Sequence, residues 1–124
     1  MRLFIADADP ALRVSMQMLL HQKPGMHVIG IAVQAKGLLV QVEASQPDVL
    51  LLDSHLPGAP MTELLEEILG LDYPPKVVVL AVNPAVEAPA LSAGADAFIN
   101  KNGPPDELLR VLRSLKKSSV DSIN

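Results

Sequence analysis

The sequence predicts a doubly wound α/β fold, in which a parallel β-sheet is covered by helices on both faces. Five short apolar stretches alternate along the 124 residues with five stretches of helical periodicity, and this alternation is typical of right-handed β-α-β crossovers. Two of the apolar stretches, 48–53 and 76–82, lack polar positions in their interior, as expected of strands buried on both faces. A chain of this length forms one domain around one hydrophobic core.

The first strand and helix are marked by an apolar run at 2–6 and the acidic turn that follows it. Asp9 is a residue type that caps helix N-termini, and Pro10 suits the first helical position. We therefore predict a helix that begins at Pro10 and ends before Pro24 and Gly25. Its apolar stripe consists of Leu12, Met16, Leu19 and Leu20.

The next two units surround a strand that is central to the sheet. Residues 27–33 form the second strand, and a weak apolar stripe at 38–42 predicts a short helix that Pro47 stops. Residues 48–53 form the buried third strand, and the helix after it ends at Gly70. The apolar stripe of that third helix consists of Leu64, Leu65, Ile68 and Leu69.

The fourth helix is predicted to be short or kinked. Residues 76–82 are a run rich in β-branched side chains, which gives a fourth strand, and Asn83 can cap the helix that follows. Pro89 interrupts the helical pattern because proline lacks the backbone N–H. A short fifth strand is expected at 96–100.

The last helix opens at 104–107 and should pack on the sheet through a regular apolar stripe. Helical periodicity is lost beyond about residue 117, which is typical of a linker. We therefore expect one domain at 1–117 and a linker-like tail at 118–124. The stripe consists of Leu108, Leu109, Leu112 and Leu115.

Composition excludes several classes of protein. A net charge of −4 and 2% aromatic residues argue against direct nucleic-acid binding by this chain, which needs basic and stacking side chains. No apolar run approaches the roughly 20 residues of a membrane span, and no secretory leader precedes the first strand, so we expect a cytoplasmic protein with no membrane partner. The absence of cysteine excludes disulfides and thiolate chemistry.

Several polar residues follow the predicted strands, where ligands of doubly wound sheets bind. Asp7 and Asp53 end the first and third strands, and Lys101 follows the fifth. Clustered carboxylates favour Mg²⁺, a carboxylate beside that cation can accept a phosphoryl group, and a lysine can pair with the added phosphate. The alternative is that these residues are solvated loop residues and helix caps.

Four segments together resemble the response-regulator receiver domain, and most closely the receivers of helix-turn-helix DNA-binding regulators. They are "RLFIADADP", "PDVLLLDSHLPG", "PKVVVL" and "AGADAFINKN", and the resemblance runs from residue 1 to about 117. It implies a flavodoxin-like (βα)5 three-layer sandwich with a five-stranded parallel sheet in the order 2-1-3-4-5.

The resemblance also implies a role for individual residues. By the family pattern Asp53 is the phosphoacceptor, Lys101 senses the phosphate, and Phe98 occupies the aromatic switch position. Asp7 is the first member of the acidic pair, and Mg²⁺ would be held near Asp7 and Asp53.

Two positions depart from the family pattern. Ala8 stands where the second acid, a direct metal ligand, is usual, and Ala81 replaces the Ser or Thr that contacts the phosphoryl group. Asp9 lies one residue beyond the missing acid and is either the helix cap, which we favour, or a substitute ligand. We therefore expect weak Mg²⁺ binding and loose coupling between phosphate and conformation.

His55 and Asn83 are placed to influence access to the phosphoacceptor, although a solvated loop histidine and a helix cap are the simpler interpretations. The stretch "DSHLPG" also matches Asp-x-His-x-x-Gly, which resembles the cobalt-ligating motif of cobalamin-binding domains. We reject that remote alternative because those domains carry the motif after their first strand, and here it follows the third.

Two functions remain open from the sequence. In the first, the chain is a receiver of a bacterial two-component phosphorelay, phosphorylated on Asp53 by a histidine kinase or phosphotransfer protein to control an output, expected to be transcription through a fused or separate DNA-binding domain. In the second, it is a degenerate receiver that acts as a phosphorylation-independent interaction or dimerisation module. Homodimerisation is compatible with both. Neither is an enzyme beyond catalysing its own phosphorylation and dephosphorylation.

Overall fold

Five parallel strands form the centre of the computed structural model, which describes residues 1–123, with side chains up to residue 116. Helices flank the sheet on both faces, and a 3₁₀ turn at Pro84–Val86 precedes the fourth of them. The elements are β1 (Arg2–Ala6), α1 (Pro10–His21), β2 (His27–Ala32), α2 (Leu38–Ser45), β3 (Val49–Asp53), α3 (Met61–Leu69), β4 (Lys76–Ala81), α4 (Glu87–Ser92), β5 (Ala97–Asn100) and α5 (Asp106–Ile123).

The sheet order is β2-β1-β3-β4-β5, which confirms the predicted doubly wound topology. The ends of β1 and β3 lie side by side, because Ala6 pairs with Leu52, and Asp53 pairs with Leu80 of β4. An irregularity between Leu3 and Phe4 in the β1–β2 pairing leaves Ile29 without a register partner. Four predicted strands differ from the observed ones by one residue at one end.

The core consists of two clusters, one on each face of the sheet. Successive strand residues point to opposite faces, so Phe4 packs under α2, α3 and α4, whereas Ile5 packs under α1 and α5. Both faces of β3 are covered, and all five of its residues are buried. This two-sided burial is what the uninterrupted apolar pattern of 48–53 predicts.

The prolines and caps act as predicted. Asp9 caps α1 by accepting hydrogen bonds from two backbone N–H groups, and Asn83 caps the 3₁₀ turn by accepting from the Ala85 N–H at 3.0 Å. The turn and the six-residue α4 together form the short fourth helix that Pro89 favours.

The last helix is longer than predicted. α5 continues to Ile123, so its backbone extends into the segment 118–124 that the loss of periodicity assigns to a linker-like tail. The division of the chain at residue 117 stays a prediction, and residue 124 lies outside the described residues. Within the described part of the chain, every helix is too short or too polar to cross a lipid bilayer.

Candidate functional site

Asp7, Asp53 and Lys101 meet at the carboxyl ends of the strands. The Lys101 ammonium lies 2.9 Å from Oδ2 of Asp7 and 3.2 Å from Oδ1 of Asp53. The structure therefore brings together the two acids and the lysine that the sequence analysis selects, with the lysine bridging the acids.

Sheet hydrogen bonds position these three residues. The Asp7 N–H donates to Ala32 O at 3.0 Å, which continues the β1–β2 pairing one residue past β1. The Lys101 N–H likewise donates to Ala81 O at 2.9 Å and fixes the residue after β5 to the end of β4. Because parallel strands end at one edge of a sheet, the three side chains converge there.

The site is almost closed to solvent. Asp7 is 0% exposed and Asp53 is 6% exposed. Burial raises the pKa of Asp7 above its ordinary value, and the nearby charge of Asp53 adds to that rise, although the hydrogen bond from Lys101 opposes it. Burial lowers the pKa of Lys101, but the hydrogen bond and charge of Asp7, with those of Asp53, outweigh it, so that pKa is raised overall.

Each carboxylate has one heavily used oxygen. Oδ1 of Asp7 accepts from the Asp9 N–H at 2.8 Å, while Oδ2 is fully buried and has the Lys101 ammonium as its single partner among the described residues. For Asp53, the His55 N–H at 3.0 Å and the Lys101 ammonium both contact Oδ1. The second oxygen of Asp53 is therefore left available for chemistry.

Asp9 points its side chain into the helix rather than into the site. Its Oδ1 accepts from the N–H groups of Ala11 at 3.1 Å and Leu12 at 3.4 Å, and the residue is exposed. This geometry favours the cap over metal ligation.

We expect Asp9→Ala to lower the free energy of unfolding by about 1 kcal/mol, because the N-cap is lost, and to leave the affinity for Mg²⁺ unchanged. Urea unfolding and metal titration of the same variant measure the two effects. A large loss of Mg²⁺ affinity would mean that Asp9 is a metal ligand.

Ala81 and Phe98 lie next to the site without contributing polar groups. Ala81 ends β4 and is 1% exposed, so it supplies a buried methyl group where the family pattern has a hydroxyl. Phe98 is half-buried, pairs in register with Val79 and packs against the α2–α4 side of the core.

His55 and Asn83 occupy the rim of the site. The His55 side chain is exposed, and its Nδ1 lies 3.1 Å from the hydroxyl of Ser54. The side-chain oxygen of Asn83 is used in the 3₁₀ cap. Neither side chain is observed in contact with Asp53, so a role in access to the phosphoacceptor stays a prediction for both.

The carboxylate pair fits a hard divalent cation that keeps much of its water. Mg²⁺ is often bound by one or two carboxylates with the remaining positions filled by water, and Asp7 and Asp53 supply two. Among the described residues there is no cluster of three acidic or histidine side chains, because Ala8 has no side-chain oxygen. The donor set therefore suits a weak rather than a tight cation site.

Two features of the site go beyond the sequence prediction. The lysine was expected to pair with an added phosphate, but here it bridges both carboxylates without one. In addition, Nη1 of Arg13 donates to the backbone oxygen of Asp7 at 3.3 Å. A buried acid near an unpaired lysine was the available signal for the first feature, and helix phase, which turns Arg13 toward the end of β1, was the signal for the second.

Comparisons with known proteins agree with this geometry. Residues 3–113 match the model of the response regulator receiver domain. The chain is 30% identical over 112 residues to the nitrate/nitrite response regulator protein NarL of Escherichia coli K12, covering 89% of this chain and 52% of the relative. It is 29% identical over 115 residues to the transcriptional regulatory protein DesR of Bacillus subtilis, covering 91% and 57%.

Solved structures give the same result. The signal receiver domain of the putative response regulator NarL from Mycobacterium tuberculosis superposes with a TM-score of 0.83 at 27% identity, covering 93% of this chain and 95% of that one. The isolated receiver domain of RcsB from Salmonella enterica superposes with a TM-score of 0.86 at 24% identity, covering 94% and 88%, which supports the fold.

The chain spans about half the length of the curated relatives it matches, and the matched half contains the acidic pair, the lysine and the strands that carry them. Since the family model covers nearly the whole described domain, the chain belongs to the response regulator receiver family of two-component signalling.

Proposed function

We propose that this receiver accepts a phosphoryl group on Oδ2 of Asp53. The observation that carries the proposal is the unequal use of the Asp53 oxygens: both described donors contact Oδ1, which leaves Oδ2 as the nucleophile. In the transfer, the P–N bond of a phosphohistidine breaks as a P–O bond to Oδ2 forms. The donor is a histidine kinase or a phosphotransfer protein.

The other residues of the site would stabilise the product. Lys101 is within reach of Asp53 and would pair with the added phosphoryl charge. Asp7 and Asp53 would hold Mg²⁺, which receiver domains generally bind at the phosphorylation site, and the cation would neutralise charge on the phosphoryl oxygens. Ala81 contributes no hydroxyl to those oxygens, so we expect phosphorylation to be coupled weakly to the α4–β5 side of the domain.

The output that we propose is transcription. Several relatives are described as transcriptional regulators, and the chain corresponds to only about half of their length. A DNA-binding domain, either fused to this receiver or separate, would carry the response, since the net charge of −4 does not favour nucleic-acid binding by the receiver itself. We place the protein in the cytoplasm, where such a donor and output meet.

A second candidate is a phosphorylation-independent interaction module, on its own or as a homodimer. The specific observations in its favour are Ala8 and Ala81, which remove a metal ligand and a phosphate ligand from the family pattern. The existing bridge between Lys101 and both carboxylates would then serve to hold the domain in one conformation.

The test is the mass of the intact protein after incubation with a small phosphodonor and Mg²⁺. We expect an adduct of about 80 Da, the mass of one phosphoryl group, and its loss in Asp53→Asn. Asp72→Asn, which changes an exposed acid in a loop, is the matched control and should keep the adduct. A wild-type chain that gains no mass at any Mg²⁺ concentration would favour the interaction module.

A further inference from the structure

The oxygens that face each other across the site are both occupied by the same ammonium group. Nζ of Lys101 contacts Oδ2 of Asp7 and Oδ1 of Asp53, and only 11% of the lysine side chain is exposed. The other oxygen of Asp7 accepts from the Asp9 N–H. A cation that binds both carboxylates must therefore take the place of this ammonium group.

We propose that Lys101 and the divalent cation occupy the Asp7–Asp53 pair alternately, so that Lys101 is an internal competitor of the metal. The proposal rests on the metal binding included in the proposed function and deepens it. It also distinguishes this site from one in which lysine and metal are bound together.

Charge is the reason for the exclusion. Two carboxylates carry −2, whereas the ammonium group and a divalent cation together carry +3, which leaves a net positive charge in a site whose acids are almost fully buried. Repulsion between cations a few ångströms apart is strong where water is largely excluded. With Lys101 alone or the metal alone, the net charge is −1 or 0.

No third acid relieves this conflict. A further carboxylate would let the metal bind beside the lysine, but position 8 is alanine, and the Asp9 side chain is used as the cap of α1. No group of three acidic or histidine side chains exists among the residues that the structure describes. The competition is thus a consequence of this chain's departure from the acidic pair.

A phosphoryl group on Asp53 would end the competition. It adds about −1.5 to −2 of charge at neutral pH, which is enough to hold both cations. The order of events is then metal in, lysine out, phosphoryl transfer, and lysine back against the phosphoryl oxygens.

The first test follows Lys101 in the unmodified wild-type chain by acetylating it with acetic anhydride and quantifying each lysine by mass spectrometry. Without metal, Lys101 should react slowly, and Mn²⁺ should raise its labelling with the same midpoint as Mn²⁺ binding. Lys76, whose side chain is 48% exposed at the opposite end of β4, is the internal control and should react equally with and without Mn²⁺. If Mn²⁺ binds and Lys101 stays protected, the exchange is wrong, whatever the phosphoryl-transfer experiment gives.

The second test measures Mn²⁺ affinity by electron paramagnetic resonance for wild type, Lys101→Met and Lys76→Met, which carry the same change in net charge. Lys101→Met should bind Mn²⁺ at least about tenfold more tightly than wild type, and Lys76→Met within about twofold. In the Asp7→Asn background the gain from Lys101→Met should shrink. An unchanged or weaker affinity of Lys101→Met, or no binding by either protein, would overturn the proposal.

Discussion

Lys101→Met lowers the free energy of unfolding by about 3 kcal/mol at neutral pH without divalent cations, the expected cost of removing one partner from a buried ion pair. Asp7 is 0% exposed, and Lys101 is the single described partner of its Oδ2. Methionine has nearly the same length and shape as the lysine stem, so the loss reports the charge and not the packing.

The matched control is Lys76→Met. The Lys76–Asp96 pair is 3.9 Å apart and largely exposed, and such surface pairs contribute less than about 1 kcal/mol. Urea unfolding of both variants, followed by circular dichroism, measures the difference. Equal losses in the two variants would show that the buried bridge does not stabilise the fold.

The effect of Lys101→Met should also depend on pH in a defined direction. Because the pKa of Asp7 is raised, its folded form binds a proton more readily than the unfolded chain, so its contribution to stability is most favourable in acid and is lost as pH rises through the folded pKa. Removing Lys101 raises that pKa further. The deficit of the variant should therefore be smallest near pH 4 and grow toward neutral pH.

At high pH the deficit should narrow again. The pKa of Lys101 is raised above its ordinary value of 10.5, so the stabilisation from its ammonium group is complete below that value and is lost as pH rises through the folded pKa. Wild type alone has this loss, since methionine does not titrate. A deficit that is constant from acid to alkaline pH would contradict the assignment to the Asp7–Lys101 contact.

Most of the fold is predictable because local patterns and long-range packing agree. The uninterrupted apolar runs at 48–53 and 76–82 predict strands covered on both faces, and both are found there. Asp9 before Pro10 predicts the start of α1 at the observed residue. The end of α5 was not predictable in this way, since helix formation past the last core contact leaves no apolar periodicity to detect.

The site is only partly predictable. Topology brings the ends of β1, β3 and β5 to one edge, so the meeting of Asp7, Asp53 and Lys101 follows from the strand assignments. Which oxygen Lys101 contacts, and that it bridges both acids in the absence of phosphate, depends on side-chain directions and burial that spacing does not encode. The choice between cap and ligand for Asp9 was open for the same reason and is favoured as a cap only by its hydrogen bonds.

Ala8→Asp should tighten Mg²⁺ binding by about tenfold or more, because it restores a carboxylate that Lys101 does not already hold. Ala8 lies directly between Asp7, whose side chain enters the site, and Asp9, whose backbone N–H donates to it, so a carboxylate at position 8 starts from within the turn that forms the site. Ala11→Asp adds the same charge on the exposed first turn of α1 and is the matched control, with an expected change of less than about twofold.

The same variant separates competition from simple electrostatics. With a third carboxylate the site carries −3, which balances Lys101 and a divalent cation together, so Lys101 of Ala8→Asp should stay protected from acetylation when Mg²⁺ binds, whereas in wild type it becomes reactive. Tighter binding with Lys101 still released would mean that the added charge acts only through the general field of the site. An unchanged affinity would mean that the turn directs position 8 away from the cation, and then the loss of the second acid would not be what makes lysine and metal alternate.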